Sequence, residues 1–475
     1  SYTARIRGLF NNKTALLIIS VYLLHLIGLL WTTDWEYALK DLRIKLPLFI
    51  LPFIFATLPP LSAQHFRIVV ITGVLGVLTG TFISTAVYLG IGFEKVTDVR
   101  DISLFISHIR FALLVCVSIV ASIWLSRHYW TVNRLLMWLF IAIAAWLFGF
   151  LLILESFTGM VIMIIFFTGY LIYHFIRHSS AMIRYSGLAA VILLYAFASL
   201  HVRSVIRDVA SVEDINFSDI EKLTVNGNKY YHVPEAGTYE NGTYVWAYIC
   251  DTELKSLWNK RSDLDYKGAD ARGHKLRTTL IRYMSSRGLR KDSAGFSKLT
   301  DADIRNIEGG IANYLIAESN PFDARLRQVV WELHRYKNGG NPSGHSFAQR
   351  LEYWKTALGI IKTSPVIGVG TGDVPEAFRR QYEISESKLT MKWRLRAHNQ
   401  YLSFGVAFGV MGLIWFMYVL AYPLLKQNNP GWLFNSFFII ALLSMLTEDT
   451  LETQAGVTFF AFFYCLFMFV DPDNR

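Results

Sequence analysis

Apolar runs long enough to cross a bilayer fill both ends of this chain, and that feature restricts the fold to a bundle of membrane helices. A helical span needs about 20 apolar residues, and somewhat fewer suffice when the bilayer adapts. Runs near 14–31, 46–59, 68–92, 102–126, 133–154, 157–176, 184–201, 398–424, 432–447 and 451–470 meet this requirement, giving about ten spans. The second run carries Pro47, Pro52, Pro59 and Pro60, which favours a bent or partly re-entrant segment. An all-α polytopic membrane protein is expected.

Charge is concentrated between the two apolar regions. Residues 202–396 hold 30 Lys and Arg and 24 Asp and Glu, which is 54 of the chain's 82 charges. The expected organisation is therefore a transmembrane region over 1–201 with about seven spans, a soluble insertion over 202–397, and a transmembrane region over 398–475 with about three. Arg5, Arg7, Lys13, Arg67, Arg127, Arg134, Arg177, Arg184 and Lys426 fall in alternate connections, which marks those connections as cytoplasmic. The insertion then faces outward, into the periplasm of a two-membrane bacterium, with the loops of Trp35, Glu94 and Glu448 on the same side. Nucleic acid is excluded as a partner there, and membrane lipids are the obligatory surroundings. The opening "SYTARIRGLFNNK" reads as a cytoplasmic connection that further helices precede, not as a signal peptide. Three cysteines, two of them within apolar runs, supply no disulfide framework.

Within the insertion, "VNGNKYYHVPEAGTYENGTYVWAYIC" pairs Asn-Gly turn signals with aromatic and β-branched residues, predicting a small hairpin. From about 273 the apolar spacing becomes helical, with Thr300 and Asp323 as caps. The insertion is thus mainly helical.

Several residues carry possible chemistry. His398 and Asn399 sit where "RLRAHNQYLSFGVAFGVMGL" passes from charged to apolar sequence. Imidazole titrates near 6.5, and the adjacent cations Lys392, Arg394 and Arg396 are expected to keep it neutral, the form a general base needs. Arg110 falls within an expected span, about 12 Å from a helix start near 102, on one face with Ser103 and Ser107. An arginine at such depth usually marks a site. "QRLEYWKTALGIIKTSPVIGVGTGD" combines Arg350 and Trp354 with glycines at 368, 370 and 372, which read as a tight loop packed at the membrane face, because no phosphate-loop lysine follows. Glu448, Asp449 and Glu452 share an outward loop in which pairing with Arg or Lys is favoured over a metal. The basic tract "GHKLRTTLIRYMSSRGLRK" either contacts phosphate or headgroup anions or forms a solvated face.

"LLHLIGLLWTTDWEYALKDLRIKLPLFILP", "RLEYWKTALGIIKTSPVIGVGTG", "HNQYLSFGVAFGVMGL" and "LTEDTLETQAGVTFF" stand in the order found in the O-antigen ligase and polymerase superfamily, which this chain resembles over nearly its whole length. The insertion text "LRTTLIRYMSSRGLRKDSAG" is similar to that of Bacteroidetes-type members. The resemblance implies a GT-C-type helical bundle acting as an inverting, metal-independent glycosyltransferase without cofactors. Its donor would be an undecaprenyl-diphosphate-linked glycan and its acceptor lipid A-core or another glycan. His398 would be the general base, with Arg350 and Arg110 on the diphosphate and Asn399, Arg396 and Glu448 completing the substrate site. The chain departs from the pattern at 155–159, where "ESFTG" replaces the family's "SRG" and Arg110 takes over the missing arginine. It also shows about ten spans where members have about twelve, and a helix pair ahead of Ser1 would reconcile the two. A polymerase extending the glycan on its own carrier is the alternative. A transporter fits less well, since no repeated halves are visible and the candidate residues lie toward the outward face and not the midplane.

Overall fold

A computed structural model describes residues 8–59, 61–92, 96, 99–212, 215–426 and 430–470. Arg5, Arg7, Pro60 and Glu94 lie outside these residues, as does the side chain of Lys426.

Each expected apolar run forms a helix. In chain order the first helices, of which all but α2 are such runs, are α1 (Lys13–Ile27, continued by a 3-10 turn to Trp31), α2 (Trp35–Lys45), α3 (Pro47–Thr57), α4 (Ala63–Leu89), α5 (His108–Tyr129), α6 (Arg134–Ile153), α7 (Phe157–Ile176) and α8 (Ala181–Ala210). The insertion adds α9 (Asp251–Arg261), α10 (Leu276–Ser286), α11 (Asp301–Glu308) and α12 (Pro321–Lys337). Helices α13 (Ser346–Thr363), α14 (Val374–Ile384), α15 (Gln400–Lys426), α16 (Trp432–Ser444) and α17 (Gln454–Cys465) follow. Among the described residues seven helices are long and apolar enough to cross a membrane, namely α1 with its 3-10 turn, α4 to α8 and α15. The run at 46–59 gives only the 11-residue α3, with Pro52 inside it, and α16 and α17 are also short. The chain is an all-α polytopic membrane protein.

The chain forms two compact units, one of residues 1–171 and 342–475 and the other of 172–341. The stretch 342–397, expected to belong with the insertion, thus groups with the membrane helices. In the first unit α5 is central, with 72% of its span buried, and Phe111, Val115, Cys116 and Ile119 face a core shared with Phe150, Phe437 and Phe460.

Helix α15 is broken at Gly409 (φ 65°, ψ −165°), a left-handed position that glycine accepts without strain. The "SPVIGVG" loop fills the break. Val369 and Gly370 donate to the carbonyls of Val406 and Ala407 at 3.0 and 2.9 Å, and Val410 donates to Pro365 O at 2.8 Å. Backbone groups freed inside an apolar run are costly unless paired, so loop and break are obligate partners. A Cβ at Gly409 would lie 2.3 Å from Val366 O, and one at Gly368 would lie 2.5 Å from the Ala407 carbonyl. The glycine run is therefore the close-packing loop that its sequence suggests. Asp373, at its end, accepts from Thr33 N at 3.0 Å and Asp34 N at 2.8 Å, tying the loop to the start of α2.

The second unit has its own core of Val245, Trp258, Leu280, Tyr283, Met284 and Phe296. The hairpin falls at Tyr239–Glu240 and Thr243–Tyr244, and its Asn241-Gly242 turn has positive φ at both residues, as a type I′ turn requires. Thr300 caps α11 with a full capping box to Asp303. Helix α12 is capped by Asn320 and not by Asp323, because Pro321 starts the helix and leaves Asp323 at its third position.

Candidate active site

The site gathers around one turn of chain, residues 446–452, between α16 and α17. Glu448 and Asp449 are buried in this turn, at 8% and 3% exposure. Four other segments of the first unit close on it: the end of α2, the start of α5, the early turns of α13 and the residues ahead of α15.

His398 stands two residues before α15 with φ 46°, a left-handed conformation uncommon for a side chain of this size. Asn399 holds it there. Its Oδ1 accepts from Leu402 N at 3.0 Å, capping α15, while its Nδ2 donates to Leu446 O at 3.0 Å. Gln400 adds two more ties, accepting from Leu451 N at 2.6 Å and donating to Glu452 Oε1 at 3.1 Å. The strained residue is thus clamped from its C-terminal side, the circumstance in which such strain persists at functional positions. Its Nδ1 lies 3.8 Å from Glu448 Oε2 and 3.7 Å from Asp449 Oδ1. Its ring sits 5.4 Å from that of Tyr353, tilted by 31°.

The three cations expected to surround His398 turn elsewhere. Lys392 lies over the Trp393 ring, Arg394 donates to Leu389 O, and Arg396 pairs with Asp449 at 3.4 Å and Glu452 at 3.6 Å. Carboxylates face the imidazole instead, because the 446–452 turn packs against the residues preceding α15 and no spacing along the chain announces that contact.

Arg350, on α13, donates through Nη2 to Glu448 Oε1 at 2.7 Å and through Nε to Thr447 O at 3.1 Å. No hydrogen bond among the described residues uses its Nη1. Arg110 is not deep in a span. Residues 99–102 form a 3-10 turn and α5 starts only at His108, so Arg110 lies about 3 Å from the helix start, with Ser103 ahead of the helix and Ser107 at its N-cap. Arg110 donates to Ser107 Oγ at 2.9 Å and lines a small hollow with Glu448, Thr450 and Gly456. Glu448 is therefore the meeting point of His398, Arg350 and Arg110.

Burial raises the Glu448 carboxyl, but the His398 ring and the Arg350 guanidinium outweigh it and hold the group below its ordinary value. At Asp449 burial wins over Arg396 and His398, and its carboxyl is pushed up. Glu452 is raised by burial and lowered further by Lys45 and Arg396, ending at about 2. The carboxyls of one turn are thus driven apart, Glu448 and Glu452 held ionised and Asp449 pushed toward protonation. Lys45, 1% exposed, pairs with Asp41 at 2.5 Å and Glu452 at 2.8 Å. The sequence signal for Lys45 is its place as the last cation before the apolar "LPLFILP".

Donor atoms of His398, Glu448 and Asp449 lie within 4.8 Å of one another, so the histidine partner that the sequence did not reveal for these carboxylates is present. Both carboxylates are already neutralised by Arg350 and Arg396, which a cation would have to displace. The arrangement reads as an ion-pair network around an imidazole. The basic tract of the insertion is spent on internal pairs: Arg277 with Asp251, Arg282 with Glu240, Arg287 with Asp303 and Arg290 with Glu221.

Residues 311–417 match the family model Wzy_C, described as O-antigen ligase. That match supports the O-antigen ligase superfamily. It takes in Arg350, Arg396, His398 and Asn399, whereas Arg110 and Glu448 lie outside it and join the site only through the fold. The O-antigen ligase match supports a ligase- or polymerase-type function in general, which agrees with the multi-pass membrane architecture. No curated protein matches the chain.

Proposed function

We propose that the chain is an inverting glycosyltransferase that moves a glycan from undecaprenyl diphosphate to an acceptor hydroxyl, with lipid A-core the acceptor, at the periplasmic face of a bacterial inner membrane. The observation that carries this reading is the convergence of His398, Arg350 and Arg110 on Glu448.

With Nδ1 turned to Glu448 and Asp449, the Nε2 of His398 is left to take a proton. The acceptor hydroxyl gives its proton to Nε2 as its oxygen bonds to the anomeric carbon, while the bond from that carbon to the diphosphate oxygen breaks. The imidazolium so formed is balanced by the carboxylates at Nδ1, as in other base–carboxylate pairs. Attack opposite the leaving group inverts the anomeric centre. The departing diphosphate gains negative charge, which Arg110 and the Nη1 edge of Arg350 meet with fixed guanidinium donors. Arg396 and Asn399 act on the protein side, holding the 446–452 turn and the His398 backbone.

His398→Ala is the test: transfer from a lipid-linked glycan should vanish while the protein still inserts and melts as the wild type does. Normal product from that variant would end the reading. In cells lacking the chain, long lipid-linked glycans should accumulate, whereas single repeat units would indicate a polymerase.

A further inference from the structure

The ion-pair network does not stop at the residues that face His398. Lys45 lies at the end of α2, near-completely buried, with its ammonium on Asp41 and on Glu452 Oε2. Glu452 uses its other oxygen to accept from Gln400 and its Oε2 to face Arg396, and Arg396 in turn faces Asp449. Asp449 then meets His398 Nδ1 at 3.7 Å. Tyr37, Asp41, Lys45, Arg396 and Glu452 also line one small hollow, together with His25 of α1.

A buried ammonium costs several kcal/mol of desolvation that only close carboxylates offset, so Lys45 fixes the position of whatever it pairs with. We infer that Lys45 is a positioning residue for His398: by holding Glu452 it keeps Arg396 on Asp449 and Gln400 on the turn, and so sets the charge that faces the imidazole. This rests on the reading of His398 as the base. Lys45 itself touches neither the imidazole nor the hollow beside Arg110.

The charges predict the sign of the effect. Lys45, Arg110, Arg350 and Arg396 stand among Asp41, Glu448, Asp449 and Glu452, so removing any one of these charges changes the potential at the imidazole. Loss of Lys45 removes one positive charge and frees Glu452 to draw Arg396 away from Asp449. Both changes favour protonated His398. Loss of the Glu452 charge acts in the opposite direction.

His398, whose side chain is 30% exposed, can be probed without any substrate. Diethyl pyrocarbonate acylates neutral imidazole, and its rate at His398 against pH, read by peptide mass in the full chain in nanodiscs, gives a midpoint. Lys45→Met should move that midpoint up by about one pH unit. Lys45→Arg should leave it at the wild-type value, and Glu452→Gln should move it down. General damage to the fold would not give opposite signs. If Lys45→Met fails to insert, Glu452→Gln alone decides. An unmoved midpoint in Lys45→Met, or an upward one in Glu452→Gln, overturns the inference. Transfer surviving His398→Ala would overturn the catalytic reading instead, so the two failures are distinguishable.

Discussion

Arg350 and Glu448 lie 98 positions apart in sequence and are joined by a 2.7 Å hydrogen bond, with side chains 20% and 11% exposed. The pair fastens α13 to the turn that faces His398. Removing one partner of a largely buried pair leaves a charge uncompensated, while removing both leaves none. Arg350→Met and Glu448→Gln should each lower stability by about 2 to 3 kcal/mol, and the double variant by clearly less than their sum. Thermal unfolding of the four proteins in one detergent checks this, and strict additivity would show that the pair does not couple.

Arg110 and Arg396 should separate by what they lose. Arg110 bonds only its neighbour Ser107 in the described structure, so Arg110→Ala should melt like wild type while transfer falls by about 10² to 10³, the range for losing one donor to a developing anion. Arg396→Met strands Asp449 and Glu452 and should lower the melting temperature as well. Unfolding curves beside transfer rates would show the contrast.

Gly409→Ala places a methyl 2.3 Å from Val366 O at a left-handed φ, and should cost about 2 kcal/mol or more. Gly73→Ala in α4 meets nothing within 4 Å and should be neutral or stabilising by up to about 1 kcal/mol. Equal melting temperatures for the two variants would rule out the loop as the partner of the broken helix.

The pH dependence of stability should carry a mark of Glu452. Its folded carboxyl stands at about 2, below an ordinary value of 4.5. A carboxyl depressed by folding contributes stability that is complete above the ordinary value and is lost as the pH falls toward the folded one. Between about pH 5 and pH 2 the wild type should therefore lose more stability than Glu452→Gln. Asp41 and Asp449, both pushed up mainly by burial, act in the opposite sense and are present in both proteins. Melting curves across this range give the difference, and parallel curves would refute it.

What the chain determines by itself is where its apolar helices lie. Each apolar run became a helix because a backbone in lipid has few other ways to pair its own polar groups. The Asn241-Gly242 turn and the Thr300 cap were legible for a similar reason, being local geometry written in two to four residues. The ionic site was legible only in part. His398, Arg350 and Glu448 could be named as chemically unusual residues at membrane boundaries, but the depth of Arg110 depended on where α5 begins. Spacing likewise suggested cations around His398, whereas folding brought carboxylates. Lys45, Asp449 and Glu452 acquire their meaning only from each other, because ion pairing acts over a few ångströms between segments far apart in the chain, and periodicity carries no record of it.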